Sequence, residues 1–177
     1  SIKFININQV ELRIEKEKTS IKMYFPVYET VETEVPEKML DALGITEIVN
    51  KRYNPNTKII LIEIEDALVL ANLNPDFFAL IHSHTRINGV LVTSISNSEN
   101  YDFFYRYFWP WAGTNEDPVT GGVQTFLTKY WATKLNKTKL KAYQSSSRTG
   151  TMSTELLLDK VCITGEAVIV FEGQFIL

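Results

Sequence analysis

Cysteine is almost missing from this chain. Cys162 is the single one in 177 residues, so no internal disulfide can form. That fits a reducing, cytoplasmic setting. It also excludes a two-thiol proton-transfer site within the chain, and the mid-strand position of Cys162 among apolar neighbours suits a buried, inert thiol. Histidine is nearly as scarce. His82 and His84 have the spacing of a metal pair, but no cysteine cluster or third ligand stands near, and a helix-terminal or surface role is the commoner fate of such residues. No metal is expected. No apolar run has the length of a membrane span, and no signal peptide is visible. No block of Lys or Arg occurs, and the net charge is −3, which argues against nucleic acid or an anionic membrane as partner. Internal repeats and low-complexity segments are also missing.

What is present suits a globular domain. Hydrophobic residues make up 45% and charged residues 22%, and a chain of this length buries roughly 70% of its unfolded surface. One domain, or one domain with an appendage, is expected. The chain opens on Ser1 without Met, as a processed end, a tag remnant or a fragment of something longer would.

The first 26 residues alternate apolar and polar in three runs, 2–7, 10–14 and 21–25, with turns at Asn8-Gln9 and 17–20. This predicts an antiparallel meander with one wet face, ended by Pro26. Residues 27–36 are Thr- and Glu-rich and read as irregular. A short helix follows, with Pro36 in its first turn and Gly44 at its end. Residues 45–56 read as a loop or short strand. The run 58–64 is nearly all apolar and reads as a strand buried on both faces. The segment 66–72 fits either helix or loop. Asn74 and Pro75 predict the start of another helix, capped by Asn74 and ending near His82. Strands are predicted at 89–95 and 102–108. In the latter, Phe103, Tyr105 and Tyr107 share one face, and Phe104, Arg106 and Phe108 the other. A helix is predicted from about Gly122 to Leu135, apolar nearly all round and therefore buried. Strands at 140–144, 156–158, 161–164 and 167–171 follow, the last three joined by tight turns at Asp159-Lys160 and Gly165-Glu166. Helices and strands do not alternate strictly. An α+β domain with a largely antiparallel sheet fits better than a Rossmann-type parallel sheet.

The chemistry concentrates between 101 and 135. An aromatic strand leads to Glu116 and Asp117, then to Pro118-Val119-Thr120-Gly121-Gly122 and the buried helix. Pro118 biases Asp117 toward an extended backbone. Thr120 or Gly121 reads as the helix cap, with Gln124 at the capping-box position if Gly121 is the cap. The paired glycines bare the first N–H groups of the helix to a carboxylate or phosphate. An acid beside such a site suits proton transfer at a carbon alpha to a carboxylate. The plainer alternative, which spacing alone favours, makes Asp117 and Thr120 ordinary caps and the glycines a tight turn. Arg106 and Arg148 could each bind a substrate carboxylate or pair with Glu116, an ion pair being the commoner outcome.

Beyond spacing, the order of residues is itself informative. Arg106-Tyr107-Phe108-Trp109-Pro110, Gly113 and Glu116-Asp117-Pro118-Val119-Thr120-Gly121 resemble the C-terminal signature of the phenazine biosynthesis-like (PhzF-type) family. Tyr130-Trp131 on the following helix, Gln144, Ser146 and Arg148, and Val161, Ile163, Gly165, Ala167 and Gly173 resemble the rest of that signature. Phe4 through Pro26 and Leu43-Gly44 form a weaker, collinear match. The resemblance implies one half of a diaminopimelate epimerase-like fold: a curved, mostly antiparallel sheet wrapped around a central helix. In the whole fold, two such halves face each other across the active-site cleft. It also implies cofactor-independent isomerisation of a small carboxylated metabolite by proton transfer. Asp117 would then be the catalytic residue, with Thr120, Gly121, Gly122 and Arg148 contacting substrate.

Three departures from the family pattern stand out. Gly122 occupies a position where the family usually has serine. Arg148-Thr149-Gly150 replaces an R-G-G. The N-terminal half, with its glutamate acid/base and G-H-A-T histidine motif, has no counterpart. Residues 1–26 resemble the strands that finish that half, and residues 27–177 the C-terminal domain. Activity is therefore expected only if a second chain supplies the complementary half, and a homodimer or a partner chain is expected from the apolar strands that a missing half would expose. The alternative is a non-catalytic remnant, or a module that binds a small molecule or a partner.

Overall fold

The computed structural model describes residues 1–5, 11–17, 19–166, 168 and 170–174. Its strands are β1 (Ile2–Ile5), β2 (Glu11–Glu17), β3 (Ser20–Pro26), β4 (Val31–Glu32), β5 (Asn50–Asn54), β6 (Ile59–Glu63), β7 (Gly89–Ile95), β8 (Phe103–Trp109), β9 (Thr114–Glu116), β10 (Lys139–Gln144), β11 (Gly150–Leu156) and β12 (Lys160–Glu166). The helices are α1 (Glu37–Leu43), α2 (Ala67–Asn72), α3 (Phe77–Ser83) and α4 (Gln124–Leu135).

All strands join one open sheet in the order β1-β2-β3-β12-β11-β10-β8-β7-β6-β5-β4, with β9 attached to β8. Pairing is antiparallel except for β6 with β7 and β8 with β10. Each parallel pair is bridged by helix, α2 and α3 in the first case and α4 in the second, because parallel neighbours need a crossover connection. The sheet is thus antiparallel in outline, with two crossovers set into its middle.

The alternation along β6 explains why Ile59–Glu63 is buried throughout. Ile59 and Leu61 join the core built on α4, whereas Ile60 and Ile62 join a second core beneath α1, α2 and α3. Strand β8 divides the same way, with Phe103, Tyr105 and Tyr107 toward α4 and Phe108 toward the other helices. A helix gripped by sheet on several sides needs no polar face, and α4 buries seven residues, among them Phe126, Leu127 and Trp131. It contacts β12 at one end of the arc and Glu63 of β6 at the other. Six strands spaced about 4.8 Å apart span roughly 24 Å, more than twice the width of a helix, so the sheet must curve around α4 to do this. Stacking of Trp131 on Phe103, 5.6 Å between centroids, and the 3.0 Å bond from Trp131 Nε1 to Thr93 Oγ1 fix the middle of the helix.

Several boundaries differ from the sequence reading. Helix α3 is capped by Asp76, whose carboxylate accepts from the Ala79 amide, so Asn74 and Pro75 lie outside it. The segment 66–72 is helical because Asp66 caps it at the Leu68 amide. Residues 27–36 contain the two-residue β4, and the acidic loop contains β9. Strand β11 begins at Gly150 and ends at Leu156, leaving Leu158 fully exposed in the turn. Gly165 and Glu166 end β12 opposite Ile21 and Ser20 and do not form a turn. Of the strand expected at 167–171, Val168, Val170 and Phe171 are exposed and outside any strand. Ala167 and Ile169, the Asn8-Gln9 turn and Lys18 lie outside the described residues. Among the described residues, no helix is long and apolar enough to cross a membrane.

Candidate active site

Asp117 stands in the crossover from β8 to α4, beside Tyr107 of β8 and the carboxyl end of β10. The connection begins with a 3₁₀ turn at Pro110–Ala112, which Gly113 ends with a left-handed φ of 94°. Strand β9 then runs back along β8. Glu116 closes a forked ion pair with Arg106, Nε to Oε1 at 2.7 Å and Nη2 to Oε2 at 2.9 Å. The third arm of the guanidinium donates to the Leu73 carbonyl at 2.6 Å, at the end of α2. Arg106 is thus a structural brace, and of the two roles open to it in sequence it takes the ion pair with Glu116.

From Asp117 to Thr120 the chain makes a tight turn held from several sides. The Asp117 amide donates to the Tyr107 carbonyl at 3.1 Å. The Gln144 side chain, fully buried at the end of β10, accepts from the Thr120 amide at 2.6 Å and donates to the Asp117 carbonyl at 2.5 Å. Ser146 Oγ donates to the Pro118 carbonyl, and Tyr105 Oη to the Thr120 carbonyl at 3.1 Å. The Val119 side chain fills the space that a side chain at Gly150 would need. Within this frame Thr120 Oγ1 donates to Asp117 Oδ2. No described group bonds Oδ1. Asp117 is half-buried. Its charge, after burial itself, helps raise the phenol pKa of its two tyrosine neighbours, Tyr107 to about 12 and Tyr105 further still.

Neither Thr120 nor Gly121 caps α4. The cap position is Val123, and no side chain serves there. The Gln124 and Thr125 amides instead bond back to the Gly121 and Gly122 carbonyls, at 3.0 and 3.4 Å. Among the described residues, the amides of Gly121, Gly122 and Val123 donate to nothing. Gly121 and Gly122 have neither a left-handed φ nor any heavy atom within 4 Å of a would-be Cβ. They border open space at the positive end of a 12-residue helix.

Arg148 is exposed, and it pairs with no described residue. It projects from the turn that Ser146 ties to Pro118, which puts it in the neighbourhood of the Asp117 loop. The other sequence candidates lie elsewhere. His82 bonds through Nδ1 to the Phe78 carbonyl at 2.7 Å, and His84 Nδ1 accepts from the Arg86 amide at 3.2 Å. Cys162 is buried in β12.

Spacing did not single out Gln144, Tyr105 or Tyr107 for any role. It also missed a second polar cluster, in which the nearly inaccessible Glu63 accepts from Tyr130 and Lys134 of α4. The signal was there: Glu63 falls on the α4-facing parity of β6, after Ile59 and Leu61.

Nearly the whole chain is similar to known proteins. The phenazine biosynthesis-like protein family matches residues 5–173. An uncharacterised isomerase of Halalkalibacterium halodurans is 40% identical over 158 residues, covering 89% of this chain and 58% of that protein. A phenazine biosynthesis-like domain-containing protein of Mus musculus is 35% identical over 176 residues, covering 92% of this chain and 61% of its own length. The crystal structure of a PhzF-family protein from Enterococcus faecalis superposes with a TM-score of 0.86 at 30% identity, over 99% of this chain and 65% of that one. The chain therefore spans about three fifths of the length of the curated relatives it matches.

Proposed function

Because the chain belongs to the phenazine biosynthesis-like protein family, we propose that it carries one half of the active site of a cofactor-independent isomerase acting on a small carboxylated substrate. The observation that supports this most is the failure of both plain readings of the Asp117 loop. Asp117 and Thr120 do not cap the helix, and the two glycines are not needed for a turn. What they form is a held carboxylate next to bare amides.

In this reading the substrate carboxylate sits on the Gly121 and Gly122 N–H groups, with Arg148 available as a counter-charge. Asp117 takes up or returns a proton at the adjacent carbon, or orients the substrate for that step. The amides stabilise the negative charge that builds on the carboxylate as the carbon–hydrogen bond breaks. A group facing Asp117 across the cleft supplies or receives the proton on the other side. The chain would meet that group in a complementary half or in a second copy. Residues 1–26 would be the strands that complete the facing half, and residues 27–177 the domain bearing Asp117.

The test is deuterium uptake by a small carboxylated substrate in heavy water, with the chain and its complement mixed. Exchange should require both, and Asp117→Asn should abolish it. Undiminished exchange in Asp117→Asn would remove Asp117 from the chemistry.

A second reading, a binding or interaction module without catalysis, is favoured by the exposed apolar side chains at both ends of the chain: Ile2 and Ile5, then Val168, Val170 and Phe171. Association without exchange would favour it. A stable monomer at high concentration in sedimentation would count against the partner that both readings expect.

A further inference from the structure

We infer that Gln144 is the positioning residue of this half-site: it fixes the Thr120 hydroxyl as donor to one oxygen of the Asp117 carboxylate, so that the other is left for a substrate.

The argument rests on directionality. The Thr120 amide can only donate and the Asp117 carbonyl can only accept. Gln144 meets both, with Oε1 at 2.6 Å from the amide and Nε2 at 2.5 Å from the carbonyl. Its amide therefore has one orientation, and flipping it would break both bonds. In that orientation Nε2 also points a hydrogen at Thr120 Oγ1, 3.4 Å away. With its lone pair facing a donor, the Thr120 hydroxyl must send its own hydrogen elsewhere, and the acceptor in reach is Asp117 Oδ2. Oδ1 receives no bond from any described residue. The side chain of Gln144 is inaccessible to solvent, so no water competes for these contacts and its orientation persists. Gln144 is 27 residues from Asp117 in sequence but crosses to it because β10 lies beside β8, with Gln144 opposite Tyr105.

Gln144 touches no substrate in this account. It acts through Thr120. That Oδ1 is the reacting oxygen rests on the isomerase reading above. The orientation itself can be tested on the resting chain.

The experiment is nuclear magnetic resonance on the chain labelled with carbon-13 at aspartate carboxyls, comparing wild type, Thr120→Val, Gln144→Leu and the double variant. Thr120→Val removes the hydroxyl and should displace the Asp117 carboxyl resonance. Gln144→Leu should displace it in the same direction, and the double variant should show no more than Thr120→Val alone. Hydrogen exchange at the Thr120 amide should rise roughly tenfold in Gln144→Leu, the effect of one lost buried hydrogen bond. Should Gln144→Leu fail to fold, Gln144→Asn takes its place, since it keeps the amide but withdraws it by one methylene. Additive displacements, or an Asp117 resonance unmoved by either Gln144 variant, would overturn the proposal and leave Gln144 as loop support only. Failure of the deuterium test with the resonance coupling intact would instead strike the isomerase reading and leave the orientation standing.

Discussion

Glu116 and Arg106 should hold the loop that carries Asp117, and the size of their contribution follows from their surroundings. Their side chains are 16% and 10% exposed, so neither charge is freely hydrated. Breaking a buried ion pair by removing one partner typically costs about 3–5 kcal/mol, because the remaining charge is stranded. Glu116→Gln strands the guanidinium only in part. Arg106 keeps the Leu73 carbonyl at 2.6 Å, and the glutamine keeps one acceptor. A loss of about 2–3 kcal/mol is therefore expected for Glu116→Gln. Arg106→Met should be worse, since it leaves a half-buried carboxylate and strips a donor from the end of α2. For a chain of this size, about 2–3 kcal/mol corresponds to a fall of roughly 4–12 °C in Tm. Urea denaturation of the two variants against wild type gives the free energies, and hydrogen exchange at the Asp117 amide gives the local effect. Because that amide bonds to the Tyr107 carbonyl next to Arg106, its exchange should quicken in both variants by more than global unfolding explains. If Glu116→Gln lies within about 0.5 kcal/mol of wild type, or Arg106→Met is the milder change, the brace is not what fixes the loop.

Thr149 has a φ of 54°, a left-handed conformation that a β-branched residue adopts under strain. Thr149→Gly should relieve it, and net of the extra freedom glycine gains when unfolded, a rise of about 0.5–1 kcal/mol in urea stability is expected; a drop would mean the threonine side chain contributes something its backbone does not reveal. Tyr107 gives a pH dependence. Its pKa is raised from 10.0 to about 12, first by burial and then by the Asp117 charge, so the fold favours the neutral phenol. The stability it contributes is whole below pH 10 and is lost as pH rises through about 12, so Tyr107→Phe should flatten the decline in the urea midpoint across that window. Parallel declines in the two proteins would show that Tyr107 is not being held neutral.

Period-two alternation was enough to place β8 and to sort its side chains between two cores, because both faces of that strand are buried and the alternation has to be obeyed. The unbroken apolar run of β6 likewise declared a strand covered on both sides. Sequence reading was weaker wherever a polar side chain competes for backbone. Asn74 and Asp76 are both good caps two residues apart, and only the packing of α3 chooses Asp76. It was weakest where the partner is remote. Nothing near Asp117 announces Gln144, and nothing near Glu63 announces Tyr130 and Lys134, since those contacts exist only once the strands are ordered and α4 is laid across them. The strained Thr149 is the converse case. The resemblance expects glycine there, and the left-handed backbone supplies the physical reason that glycine would suit.

Gly121 and Gly122 show how far a local pattern can mislead about cause. In sequence, paired glycines before a helix have two common explanations: a left-handed turn, or backbone so crowded that no Cβ fits. Both explanations are testable from geometry, and both fail. The only left-handed glycines among the described residues are Gly44 and Gly113, and the crowded ones include Gly89, beneath the Tyr107 ring, and Gly150, beneath Val119. At 121 and 122 a side chain would meet empty space. Glycine has a conformational cost on folding, roughly 0.5–1 kcal/mol relative to alanine in regular structure. Among the described residues, neither a left-handed turn nor a close approach accounts for that cost. On the isomerase reading proposed above, a ligand carboxylate approaching the Gly121 amide would account for it. Asp117, just upstream of these glycines in sequence, is held by Gln144 at its carbonyl and by Thr120 at its carboxylate.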